Sequence, residues 1–196
     1  SQAHIAHWNL TKLAESLLPL LHENMDDALK LAEVSISGFA KEFNSAWISG
    51  MRSKLGLFNE EEDDYVLAQN LFKWMETAKA DFTSTFRDLS YERLSENKIY
   101  KSPDFKKWYE VWQQRLLRNS KTTKSALILM RKHNPVIVPY NHFVEEALLA
   151  AENGDMKPFN SLLAALLNPF TLSTSNEAFQ QSTIRPNPNY QTFCGT

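Results

Sequence analysis

The sequence predicts an all-α fold. Apolar residues recur at steps of three and four along most of the chain, which is the period of one helix face. Only five glycines occur in 196 residues, too few for the many tight turns of an all-β fold. We expect about seven helices in a single helical domain over residues 1–168. An extended C-terminal arm follows over residues 169–196 and carries the lone cysteine near its end.

The first two predicted helices rest on long apolar stripes. Residues 8–21 form the first helix, which Pro19 should bend or end early because proline disrupts helix interiors. Residues 32–55 form one long second helix, which Gly38 weakens by roughly 1 kcal/mol relative to alanine. Gly56 is the expected stop, since glycine readily takes the left-handed conformation at a helix end.

The third helix is predicted from an acidic run. We expect Asn59 to cap it and the run 60–64 to occupy its first turn, where the helix dipole favours negative charge. The run lacks the spaced oxygen ligands and central glycine of a calcium loop. It is therefore interpreted as a solvent-exposed helix start.

The remaining helices have clear end signals. Ser102 and Pro103 are the expected cap and first residue of the fourth helix, whose apolar stripe turns its tryptophans inward. The fifth helix covers 123–132, and an extended linker follows between two prolines. Asn141 is the expected cap of the sixth helix, and the seventh begins near residue 155.

Charge is unevenly distributed although the net charge is −2. The basic block, defined as residues 98–132, holds ten Lys and Arg against two Asp and Glu, and the acidic residues concentrate before it. Basic residues beside aromatic ones can bind nucleic acid or an acidic protein. The other interpretation is that the acidic first half neutralises this block within the molecule.

Motifs for cofactors and membranes are missing from the sequence. The glycines are too dispersed for a phosphate-binding loop, and there is no His-Glu-x-x-His or cysteine cluster. We therefore expect no cofactor or metal for these 196 residues alone. No apolar run approaches the roughly 18 residues of a membrane span and no signal peptide is seen, so we expect a cytoplasmic location and no membrane partner.

Two sets of residues are candidates for chemistry. Asn141, His142 and Glu145 lie around a helix start, and an i, i+3 pair of His142 and Glu145 could act as a general base supported by a carboxylate. The alternative is a structural polar contact, because no nucleophile accompanies them. Cys194 cannot form a disulfide within its own chain, so it is either inert or reacts with a thiol elsewhere.

An ordered series of short motifs carries a family resemblance. In chain order these are Trp8-Asn9-Leu10, Asn134-Pro135, Pro139-x-Asn141-His142-x-Val144-Glu145-x-Ala147-Leu148, Gly154-Asp155, Pro158-Phe159, Leu162-Leu163 and Tyr190-x-Thr192-Phe193-Cys194-Gly195-Thr196. The chain resembles the selenoprotein O family of kinase-like protein adenylyltransferases over essentially its whole length. Tyr140 departs from that family, which often has arginine at this position.

The resemblance implies a function for the longer protein. The family transfers AMP from ATP to hydroxyl side chains of proteins, with ATP and Mg²⁺ as cofactors. Its nucleotide- and metal-binding residues precede the Trp-Asn-Leu helix, so no catalytic, cofactor-binding or metal residue is carried over to this chain. We therefore predict an inactive C-terminal portion whose partners are the missing N-terminal kinase-like part and protein substrates. The resemblance also implies a redox role for Cys194.

The alternative function is a helical binding module. In it the basic block 98–132 contacts nucleic acid or an acidic protein, although nucleic acid is not the partner we expect. A free-standing helical enzyme using His142 and Glu145 is a further hypothesis, which the lack of a nucleophile disfavours.

Overall fold

The computed structural model describes residues 2–180, with Ser175 described by its backbone alone. Within that range the chain is helical and contains no β-strand, which confirms the predicted all-α class. Nine α-helices occur there: α1 (Gln2–Leu21), α2 (Met25–Ser37), α3 (Phe39–Lys54), α4 (Asp64–Ala78), α5 (Phe82–Ser90), α6 (Pro103–Leu117), α7 (Thr123–His133), α8 (Asn141–Glu152) and α9 (Lys157–Leu166). Three short 3-10 helices lie at Leu94–Glu96, Lys98–Lys101 and Thr174–Phe179. None of these helices is long and apolar enough to cross a lipid bilayer.

The structure sets three helix boundaries that the sequence left open or placed elsewhere. The predicted second helix is interrupted at Gly38, which ends α2 and separates it from α3. Residues 82–90 form a separate helix because Asp81 caps it, accepting a hydrogen bond from the Ser84 amide at 2.7 Å. Pro19 does not end α1 early, since the helix continues to Leu21.

The chain divides into two compact units, residues 1–51 and 52–196. The predicted division at residue 168 stays a prediction. In the first unit α1 packs against α2, and Asn24 caps α2 by accepting hydrogen bonds from the amides of Asp26 and Asp27. Ala28 and Ala32 are the buried side chains of α2.

Tryptophans form the centre of the second unit, where α4 packs against α6. Trp108 and Trp112 stack with ring centroids 5.8 Å apart, and both are buried. Their indole N–H groups donate to the carbonyl oxygens of Leu67 and Leu55, each at 2.9 Å. The inward direction of these rings confirms the predicted stripe, whereas Val111, predicted on the same face, is exposed. Every polar atom of the two indoles is thereby satisfied on burial.

The predicted ends of α3 and α6 are confirmed. Gly56 has φ +76°, and a side-chain carbon at this position would lie 3.0 Å from the Ala126 Cβ atom. The left-handed conformation and the close approach of α7 both require glycine here. Ser102 caps α6 by accepting from the Phe105 amide, and Pro103 is the first residue of that helix.

The C-terminal part of the second unit is built on α8 and α9, which pack against each other. Val136 and Ile137 of the extended linker are buried with Ala165, and both linker amides donate to the carbonyl oxygen of Pro169. The linker is thereby fixed against the chain that follows α9. Leu172 and Phe179 pack on the same cluster.

Candidate functional site

The predicted polar site lies at the start of α8. Asn141 is the first residue of the helix rather than its cap, and Tyr140 occupies the cap position without a side-chain capping hydrogen bond. This corrects the predicted role of Asn141, whose side chain is exposed, as is that of Glu145. The first hydrogen bonds of α8 run from the Phe143 and Val144 amides to the Tyr140 carbonyl oxygen, so the helix begins one residue earlier than a cap at Asn141 would place it.

His142 is the inward-facing member of the predicted site. Its ring lies 4.0 Å from the Phe143 ring and 6.0 Å from the Tyr140 ring, measured between centroids. The Nε2 atom is buried and has no hydrogen-bond partner in the part of the chain that is described. Buried polar atoms are usually paired, so this nitrogen marks a place where a contact is incomplete. The proposed general-base role of His142 and Glu145 stays a prediction.

Tyr140 ties the entry of α8 to the start of α5. Its hydroxyl donates to the Asp81 Oδ1 atom at 3.2 Å, and the same oxygen caps α5. Burial raises the pKa of Tyr140, and the neighbouring Asp81 charge raises it further. Tyr140 therefore provides a polar contact at this loop.

Hydrogen bonds hold the chain between the end of α9 and residue 180 in place. Ser173 and Asn176 form a capping box for the 3-10 helix Thr174–Phe179. The Gln180 side chain donates to Asn176 Oδ1 at 2.6 Å, and its carbonyl oxygen accepts a hydrogen bond from Arg87 Nη1. Phe179 meets the Phe143 ring edge-on at 5.2 Å.

Arg87 is itself held by a charged neighbour. Its Nε and Nη2 atoms donate to Asp88 Oδ1 at 3.1 and 3.0 Å, and the Tyr100 hydroxyl donates to Asp88 Oδ2 at 2.8 Å. Burial and the Asp88 charge raise the pKa of Tyr100 above its ordinary value. Arg87 and Asp88 line a crevice of about 270 Å³ together with Gln180. We call the contact between Arg87 and the Gln180 carbonyl the tail anchor.

Cys194 lies outside the described residues. Its predicted redox role therefore stays a prediction.

The acidic run 60–64 has a different role from the one predicted. The helix begins at Asp64 rather than after Asn59, and Asp63 occupies the cap position without a side-chain hydrogen bond. The Asn59 carbonyl oxygen instead accepts from Arg115 Nη2 at 2.6 Å. The predicted Asn59 cap is wrong because a buried ion pair, which no local pattern reveals, decides the path of this loop.

That ion pair joins the acidic run to the basic block. Asp64 and Arg115 are 1% and 2% exposed, and Arg115 Nε lies 2.7 Å from Asp64 Oδ1. Arg52 Nε lies 2.7 Å from the other oxygen of Asp64. Glu61 pairs with Arg115 at 3.2 Å and with Arg118 at 2.7 Å. We call these five residues the ion-pair network.

Hydrogen bonds from arginines set the protonation of the ion-pair network. Burial alone would raise the pKa of Asp64, but bonds from Arg115, the Glu61 amide and Arg52 outweigh it and lower the pKa. The Glu61 pKa is lowered chiefly by its hydrogen bond from Arg118. Both carboxylates are therefore charged at neutral pH, and each is paired.

The ion-pair network bears on the binding-module hypothesis. Two basic residues of the block, Arg115 and Arg118, are neutralised within the molecule as the intramolecular interpretation predicts. Trp108 and Trp112 are buried, so they offer no stacking surface to nucleic-acid bases. Among the described residues, no group of three His, Asp or Glu side chains could hold a metal ion.

Comparison with known proteins decides the family. The sequence model of the family described as "Protein adenylyltransferase SelO" matches residues 1–167. The chain belongs to the SelO family. Curated relatives named "Protein nucleotidyltransferase YdiU" match all of the chain: one from Bacillus thuringiensis (strain Al Hakam) is 46% identical over 197 residues, and one from Bacillus cereus (strain ATCC 14579) is 45% identical. A Bacillus anthracis relative of the same name is 44% identical.

The match to SelO relatives covers only part of their length. The chain spans 40% of each of these curated proteins, while the whole chain is aligned. The family prediction made from the short motifs is confirmed.

Sequence reasoning missed several residues of this SelO chain that the structure brings together. Asp81 and Arg87 have no role in the prediction from the sequence, yet they hold the entry of α8 and the chain at Gln180. Asp81 had a usable signal, because an aspartate directly before an apolar helix pattern is a common cap. No local sequence signal indicates the pairing of Asp64 with Arg115, because the two residues are 51 positions apart.

Proposed function

We propose that this chain is the C-terminal helical portion of a protein adenylyltransferase. The complete protein would transfer AMP from ATP to Ser, Thr or Tyr hydroxyls of target proteins, with ATP and Mg²⁺ bound by a kinase-like part that these 196 residues do not include. The observation that carries the proposal is the family match over residues 1–167 combined with a span of 40% of the relatives' length.

On this proposal the chain alone is catalytically silent. Its work is structural: the helices support the kinase-like part and contribute to the surface that meets protein substrates. The segment up to Gln180 supports such a role, because Arg87 and Asn176 hold Gln180 in place by hydrogen bonds.

The test compares the 196-residue chain with the full-length protein. Transfer of AMP from labelled ATP to protein is expected with the full-length protein and Mg²⁺, and not with the short chain. ATP and Mg²⁺ should raise the unfolding temperature of the full-length protein only. A saturable shift in the short chain, or no transfer by the full-length protein, would overturn the proposal.

We also propose redox control through Cys194, which under oxidising conditions forms a disulfide with a thiol outside these 196 residues, the two electrons and two protons passing to an oxidant in solution such as oxidised glutathione. Cys194→Ser in the full-length protein should remove the difference in transfer activity between oxidising and reducing buffers, because the variant has no sulfur at this position. Thr192→Ser, two residues away, is the matched control and should keep the difference. If the transfer activity of both variants responds equally to oxidising and reducing buffers, Cys194 has no redox role.

A further inference from the structure

The first helix presents a large apolar surface to solvent. α1 has 20 residues, and none of its side chains is buried. Leu10, Leu13, Leu17 and Leu20 follow one another by three, four and three positions, so they lie on one side of the helix. They are 41%, 53%, 38% and 81% exposed. We call these four residues the leucine face.

α1 has few charged residues, as is typical of a helix that packs against other protein segments on several sides. Lys12 and Glu15 are its only Asp, Glu, Lys or Arg residues, and they pair with each other at 2.7 Å. A helix on a protein surface usually carries charged residues along its whole outer side. The half-buried positions of α1 are mostly small, and include Ala3, Ala6 and Ala14. The helix therefore turns small residues to its neighbours and its large residues outward.

Burial of the leucine face would be strongly favourable. Each leucine that moves from water into a packed interior contributes on the order of 2 kcal/mol. Large contiguous apolar patches are uncommon on monomeric proteins and mark interaction surfaces. The last residues, 181–196, are a poor cover by composition, because Ile184, Tyr190, Phe193 and Cys194 are their only hydrophobic side chains.

The length of the relatives indicates which polypeptide could pack against the leucine face. The whole of this chain, α1 included, aligns with proteins of which it spans 40%. In those proteins α1 folds in the presence of a much longer polypeptide. We propose that the leucine face is the docking surface for the part of the full-length protein outside these 196 residues. This inference rests on the proposed function, in which that part is the kinase-like portion.

Hydrogen exchange of the α1 amides tests the docking surface. Exchange of peptides covering residues 5–21 is measured by mass spectrometry in the full-length protein and in the 196-residue chain. Because docking makes local unfolding of α1 less frequent, its amide hydrogens should exchange about 100-fold more slowly in the full-length protein. Equal exchange rates in the two proteins would overturn the inference.

Matched variants locate the surface on α1. Leu13→Glu with Leu17→Glu in the full-length protein should return α1 exchange to the rate of the short chain. The control pair is Leu117→Glu with Leu149→Glu, at leucines that are 73% and 62% exposed in the second unit. It should leave the slow exchange of α1 intact. Loss of protection in the control pair and not in the α1 pair would contradict the assignment.

A second copy of the chain is the competing occupant. It predicts α1 protection that rises with concentration in the 196-residue chain and is absent from the full-length protein, a result that overturns the proposal. AMP transfer is measured on the same full-length samples. Transfer without α1 protection overturns the docking surface alone, whereas protection without transfer overturns only the proposed function.

Discussion

At the residue scale, the buried pair of Asp64 and Arg115 holds the loop before α4. The two side chains are buried, and their partners come from the loop before α4, from α3 and from α6. Taking two charges out of water costs several kcal/mol per ion, so such a pair is tolerable only when its hydrogen bonds are complete. Here the Asn59 carbonyl, Arg52 and the Glu61 amide complete them.

Removal of the Asp64 charge should therefore destabilise the second unit strongly. Asp64→Asn removes the buried charge that Arg115 and Arg52 each contact at 2.7 Å, and we expect the free energy of unfolding to fall by about 3–5 kcal/mol. Urea denaturation followed by tryptophan fluorescence measures the change.

The neighbouring Asp63 supplies the control. It is exposed and makes no capping hydrogen bond, so Asp63→Asn should change the free energy of unfolding by less than about 0.5 kcal/mol. Similar losses in the two variants would show that the ion-pair network does not hold this loop.

At the element scale, helix ends depend on single backbone conformations. Gly56 and Gly154 both have positive φ, at +76° and +86°. They differ in their surroundings: a Cβ atom on Gly56 would lie 3.1 Å from the Ala126 carbonyl oxygen, whereas one on Gly154 would meet nothing within 4 Å.

The two glycines separate conformational cost from crowding. Gly154→Ala should lower the free energy of unfolding by about 1–2 kcal/mol, which is the cost of a left-handed alanine. Gly56→Ala should cost more, because α7 must also move away from the new methyl group. Thermal denaturation of the two variants measures both losses of unfolding free energy. Equal losses would mean that α7 moves away from the new methyl group at no cost.

At the scale of the whole molecule, stability should depend on pH through the ion-pair network. The pKa values of Asp64 and Glu61 are lowered in the folded chain, so folding favours their charged forms. Their contribution is complete above the unfolded-state pKa values of about 4 and is lost as pH falls through the lower folded-state values.

The Asp64→Asn variant reports this dependence directly. Its deficit in unfolding free energy relative to the wild type should be full at pH 7 and should shrink progressively below about pH 4. Denaturation curves between pH 7 and pH 3 measure the deficit, with Asp63→Asn as reference. A deficit that stays constant over this range would contradict the assigned pKa direction of Asp64.

The same scale shows what a sequence can predict. Helix type, the Gly56 stop, the Ser102 cap and the inward tryptophans follow from local periodicity and local hydrogen bonding. The Asn59 cap failed because a partner far along the sequence holds the loop before α4, and α8 begins one residue earlier than a cap at Asn141 would place it. The buried pair of Asp64 and Arg115 looks like ordinary surface charge until the fold brings them together. Cys194 lies beyond the part that the structure describes.

The tail anchor limits how far Cys194, the single cysteine of the sequence, can reach. Cys194 follows Gln180 by 14 residues, and a chain of that length spans at most about 50 Å. On the proposed redox role, a thiol of the same polypeptide that lies beyond that distance from Gln180 cannot reach Cys194 while Gln180 is held in place. Arg87 would therefore limit which thiols can pair with Cys194.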